Sequence, residues 1–177
     1  MLRAQGVAVV DLRGKLPLRA GSSANPYPER FGGLANVKWF VVHHTGAGTA
    51  RPTILDTANY QTGPGTIDPF PGLAYTAYVE PDGTLEIAWD LEDETWSQGI
   101  GSPTSDANGF GINNEYGVAM CFSGQDPTDA QWATETKAHA VLETVVGHSL
   151  VFTGHRLVDP STTDCPGNVA AGRLQNP

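Results

Sequence analysis

Positive charge is scarce in this chain. Ten Lys and Arg face 19 Asp and Glu, for a formal net charge of −9. Proteins that bind nucleic acid displace its counterions with clustered Lys and Arg, so no nucleic-acid partner is expected. Cysteine is scarce too, with Cys121 and Cys165 as the two present. A disulfide framework normally shows more, so the two thiols read as independent and the fold must rest on a hydrophobic core. Long apolar runs are also missing. No stretch approaches the roughly 18 apolar residues of a membrane-spanning helix. The N-terminal "VAVV" is too short and interrupted for the apolar region of a signal peptide. The expectation is a single soluble domain, 1–177, without membrane insertion and monomeric.

What is present is glycine and proline, 21 and 13 residues in a chain of 177. A chain of this size buries roughly 70% of its unfolded surface, so ordered loops around one core are expected. Residues 1–36 read as an extended N-terminal arm packing on the domain, most loop-like over 14–36 ("GKLPLRAGSSANPYPERFGGLAN"). "VKWFVVHH" and "YGVAMCF" are apolar on both faces, the pattern of strands buried on both sides. "LAYTAYVEPDGTLEIAWD" reads as a hairpin turning at Pro81-Asp82-Gly83. A short helix is expected over 52–61 with Pro52 at its start. The longest helix should open at Asp126-Pro127, with Asp126 as N-cap, and stop at Gly147. "WSQGIGSPTSDANGFGINNEYG" is a long polar loop, "SLVFTGH" a last strand, and "DCPGNVAAGRL" the start of a terminal helix. The fold class is α/β (α+β in some schemes), a central mixed β-sheet flanked by helices.

The chemistry-bearing residues lie at strand ends. His43 and His44 close "VKWFVVHH", His155 closes "SLVFTGH", and Cys165 follows ten residues later in "TTDCPG". Zinc favours His nitrogen and Cys sulfur, and catalytic sites use three protein ligands with a fourth position open. A His–His–Cys set fits that rule, although no compact signature such as HExxH is present. Spacing alone leaves metal site and core packing equally open. Cys165 with His155 as base would also make a cysteine hydrolase.

The stretches "VVHHTG", "AYTAYVEPDGTLEIAWD", "NNEYGVAMCFSG" and "GHRLVDPSTTDCPG" resemble the zinc-dependent N-acetylmuramoyl-L-alanine amidases. That family includes bacteriophage amidase endolysins and the animal peptidoglycan recognition proteins. The stretches follow the family's order over most of 37–170. The resemblance implies one Zn²⁺ per chain on His43, His155 and Cys165, with Tyr75 as catalytic tyrosine and Thr163 assisting the reacting carbonyl. It implies hydrolysis of the amide between N-acetylmuramic acid and L-alanine in peptidoglycan, at the bacterial cell wall. With no signal peptide visible, a phage endolysin held in the host cytoplasm until release is the expected context. A non-catalytic peptidoglycan-binding module is the alternative, disfavoured because Cys165 is present. Two positions depart from the pattern: Thr76 follows the tyrosine and Ser97 precedes the GVAM strand, where the family often carries histidine. A related branch uses a Glu base where Ala119 stands, which favours the tyrosine version.

The remaining candidates carry two readings each. Alternation sends His44 to the face opposite His43, so it is a structural neighbour or a substrate contact. Trp96 stacks on sugar or packs on the sheet. Asn114 is a candidate substrate contact, and Asp164 a fallback third ligand. His139 reads as core, His148 as solvated, Cys121 as a small strand hydrophobe. The run "DLEDE" (90–94) reads as a solvated turn.

Overall fold

The two doubly apolar runs become neighbours at the centre of one sheet. A computed structural model describes residues 1–66, 69–98, 112–159 and 163–175. Its strands are β1 (Val9–Asp11), β2 (Trp39–His44), β3 (Ala77–Val79), β4 (Leu85–Ile87), β5 (Gly117–Phe122) and β6 (Val151–Gly154). The helices are α1 (Ile54–Thr62), α2 (Ile112–Tyr116), α3 (Asp129–Val146), α4 (His155–Val158) and α5 (Gly167–Gln175). The sheet order is β1-β4-β3-β5-β2-β6. β2 runs parallel to both β5 and β6, β3 runs parallel to β5, and the β3–β4 hairpin is antiparallel. The mixed sheet flanked by helices is the class read from the sequence. The loop expected over 96–117 falls largely outside the described residues.

Each face of the sheet has its own cluster. Phe40, Val42, Val118, Met120 and Phe122 pack with Ala138 and Leu142 of α3. Tyr78 and Cys121 pack on the other face with Ile54 and Ala58 of α1 and with Leu73. Strand alternation puts His43 on the α1 side, opposite Phe40 and Val42. The sequence reading missed β1, which pairs in parallel with β4 at the sheet edge. Three residues of mixed burial give almost no side-chain pattern; the backbone ladder makes this strand.

Helices α1 and α3 both begin later than expected. Thr53 caps α1 through Asp56, and Thr128 caps α3 through Gln131, each as a reciprocal capping box. A box satisfies two orphaned N–H groups at once, so threonine takes the cap and Pro52 and Pro127 fall outside it. Gly147 ends α3 in the left-handed region at φ 81°, as expected.

The acidic run is solvated only in part: Asp90 and Glu92 are exposed. Asp93 and Glu94 are buried, and so is Arg30 from the N-terminal arm. The Arg30 guanidinium donates to the carbonyls of Leu91, Asn114 and Glu115 at 2.6–2.8 Å. Burial lowers its pKa to about 10, against the opposing pull of Glu94 and Asp93. A buried charge needs a counter-charge, and nothing local in "DLEDE" announces one 60 residues upstream.

Glu135 on α3 is fully buried, and neither carboxylate oxygen has a hydrogen-bond partner among the described residues. Burial raises its pKa well above the usual carboxylate value. The folded state therefore holds a proton that the unfolded chain has released. Stability from this group is full below the unfolded Glu pKa and falls as pH rises towards the folded one. Glu135→Leu removes two unsatisfied oxygens at similar volume, and should stabilise the protein at pH 8 by about 1–3 kcal/mol. Urea unfolding at pH 5 and pH 8 checks this: the gain should be larger at pH 8, and equal gains would contradict the assignment.

Candidate metal centre

β2 and β6 are parallel neighbours, with Val42 opposite Gly154. Their carboxyl ends therefore deliver the next residues, His43 and His155, side by side. The imidazole centroids stand 4.6 Å apart. In open sheets with parallel strands, ligands bind beyond the carboxyl ends.

Cys165 reaches the pair from the turn that precedes α5. The Arg156 N–H donates to the Cys165 carbonyl at 2.9 Å, and the Cys165 N–H donates to Thr163 Oγ1 at 3.1 Å. Gly154 makes the approach possible, because a Cβ there would lie 2.6 Å from the Pro166 ring. The result is one cluster: single ligand atoms of His43, His155 and Cys165 all lie within 4.8 Å of one another. Asp164, the alternative ligand, is exposed and outside the set.

The donor set suits zinc on three counts. Two histidines and one cysteine match its preferences and leave a fourth position. Zinc–sulfur and zinc–nitrogen bonds of about 2.3 and 2.05 Å at the tetrahedral angle put the two donors about 3.6 Å apart. Cys165 Sγ and His43 Nδ1 are 3.6 Å apart. Burial lowers both imidazole pKa values, with His155 adding to the effect at His43. Both rings are therefore neutral with a lone pair to give, as ligation requires. Cys165 is the opposite case. Burial pushes its thiol up to about 12, partly offset by the His44 N–H, which donates to Sγ at 3.3 Å, and by Arg156. Without a cation this thiol stays protonated at neutral pH.

Tyr75 lies against the cluster, its ring centroid 5.2 Å from that of His43. Burial raises its pKa well above the usual value, and the thiols of Cys121 and Cys165 add to the rise. Its hydroxyl is a donor across the neutral range. Thr163 caps the turn of Cys165, as described. His44 Nδ1 lies 3.1 Å from the Gln125 carbonyl, and its side chain is near enough to add to burial in lowering the pKa of His43 and of His155.

Trp96 packs edge-on against Tyr27 at 5.4 Å, within the α1-side cluster. Asn114 is fully buried, and its Oδ1 accepts from the Gln98 N–H at 2.8 Å. That bond ties α2 to Gln98. His139 packs flat on Phe152, His148 is exposed, and Cys121 is buried in β5. Both cysteines are free thiols. The sequence reading overlooked Asp159, whose carboxylate lies 4.0 Å from His155 Nε2. The i,i+4 spacing in "HRLVD" was the available signal.

The N-acetylmuramoyl-L-alanine amidase family matches residues 33–168, most of the chain. The chain belongs to that family. No curated protein matches it. Among solved structures, peptidoglycan recognition protein-LE in complex with tracheal cytotoxin superposes with a TM-score of 0.70 at 14% identity, covering 96% of this chain and 93% of that one. The Ph2119 endolysin of a Thermus scotoductus bacteriophage gives 0.63 at 16% identity, covering 95% and 97%. N-acetylmuramoyl-L-alanine amidase LysC from Clostridium intestinale gives 0.61 at 17% identity, covering 95% of each chain. At these identities the likeness establishes a shared fold. It includes the sheet that carries His43 and His155 in this amidase-family chain. Among the described residues no helix is long and apolar enough to cross a membrane.

Proposed function

We propose that the chain is a zinc-dependent amidase that cleaves the bond between N-acetylmuramic acid and L-alanine in peptidoglycan. It acts on the bacterial cell wall, in the manner of a phage endolysin. The observation that carries this is the convergence of His43, His155 and Cys165 at ligand spacing beside a protonated Tyr75. Bound there, zinc supplies Lewis acidity, polarising a carbonyl and bringing the pKa of water to about 7.

The protein's own groups do the rest. His43 and His155 bind as neutral imidazoles, and Cys165 gives up its proton to bind as thiolate. The His44 N–H steadies the charge on that sulfur. Tyr75 donates its O–H to the amide oxygen as negative charge builds there. Thr163 accepts from the Cys165 N–H, which leaves its hydroxyl proton for the same oxygen. The departing amine of L-alanine takes a proton that began on the attacking water, passed through Tyr75 Oη.

The cysteine-hydrolase reading is weaker, because a nucleophile needs a lowered thiol pKa and burial raises this one. The test is clearance of a peptidoglycan suspension with and without chelator, then with zinc restored. The expected result is chelator-sensitive clearing that zinc restores, with new alanine N-termini and no new reducing ends. Binding to peptidoglycan without clearing would instead indicate a recognition module. Clearing indifferent to chelator would return Cys165 to the nucleophile role.

A further inference from the structure

A histidine that binds a metal through one ring nitrogen almost always gives the other N–H to an acceptor, which fixes the tautomer and the ring plane. His155 Nε2 is buried without a hydrogen-bond partner among the described residues, and a carboxylate stands four residues on. α4 is a single turn, and its geometry brings position 159 under position 155. The Asp159 N–H donates to the His155 carbonyl at 2.8 Å, which closes the turn. Asp159 Oδ2 then stands 4.0 Å from His155 Nε2, with both side chains only 16% exposed. Asp159 lies outside the mutually close set of His43, His155 and Cys165. Its carboxylate faces Nε2 of the imidazole, so ligation through the other ring nitrogen, Nδ1, leaves Nε2–H for Asp159. At His43 it is likewise Nδ1 that faces Cys165.

We propose that Asp159 is the positioning residue of His155. Its carboxylate takes the Nε2–H and turns Nδ1 towards the metal. This rests on the zinc reading above. The contact is longer than a hydrogen bond, so the proposal requires the His155 ring to close on Asp159 when a metal binds. A carboxylate in this position also strengthens the imidazole as a donor, by lending negative charge to the N–H it holds.

The experiment measures zinc affinity by competition with a chromophoric chelator, for wild type, Asp159→Ala and Asp159→Asn. Loss of the acceptor in Asp159→Ala should weaken zinc binding by about 10- to 100-fold. Asp159→Asn keeps one acceptor oxygen and should lose less. Equal affinity in all three proteins would overturn the proposal. Long-range ¹H–¹⁵N spectra of the zinc-loaded wild type give a second readout that needs no variant and holds even if a variant does not fold. They should show His155 protonated at Nε2; protonation at Nδ1 would overturn the proposal. The visible spectrum of the cobalt-substituted protein separates positioning from ligation. Unchanged bands in Asp159→Asn support positioning, and altered bands would make Asp159 a ligand and overturn it. A wild type that binds no zinc would fail the metal reading itself, a result distinct from equal affinities.

Discussion

Cys165→Ala should abolish zinc binding and hydrolysis together. A partner behind a metal ligand is worth about 10–100-fold in affinity, so loss of a ligand itself should exceed about 100-fold. The site offers no replacement, since Asp164 is exposed and outside the cluster. The same substitution would also silence a cysteine nucleophile, so a second variant decides between the roles. Cys165→Asp keeps an anionic oxygen that zinc accepts but cannot form a thioester. It should recover measurable zinc by atomic absorption, and part of the activity. Zinc content unchanged in Cys165→Ala would remove the cysteine from the metal centre. Because ligation requires a thiolate and burial holds the thiol near 12, each zinc bound also expels a proton. Zinc affinity should therefore rise with pH across the neutral range.

Tyr75→Phe should lower kcat about 10²- to 10³-fold, or about 2.7–4 kcal/mol, the usual effect of deleting one donor to a developing oxyanion. The ring remains, so its packing against His43 survives, and zinc affinity should be unchanged. That split between turnover and metal content is the diagnostic. A variant that loses zinc would make Tyr75 a packing residue, and one that keeps full kcat would remove it from catalysis. Burial holds the Tyr75 hydroxyl protonated well above its ordinary pKa. The pH–rate profile of wild type should therefore show no loss of this donor near pH 10.

The two central strands were legible because short runs apolar on both faces read as strands buried on both sides. The hairpin was legible because Pro-Asp-Gly leaves few alternatives. The metal residues could be named from their types and from a motif resemblance, and their spacing alone left them undecided. Arg30 with Glu94, Glu135 on α3, and strand β1 stayed hidden for one shared reason. Burial of a charge, or pairing of an edge, depends on what lies opposite in space, and neither leaves a local periodicity.

The amino-acid sequence by itself determined the class of fold, the absence of a long apolar span, and the donor types available to a metal. Only the tertiary structure decided that His43 and His155 meet, because parallel pairing of β2 with β6 is a long-range backbone contact. It alone brought Cys165 to 3.6 Å from His43, through a turn that a missing Cβ at Gly154 lets close against β6. It alone buried Asn114 completely, on α2. Residue type sets what an atom can bind; the approach of distant segments sets whether it does.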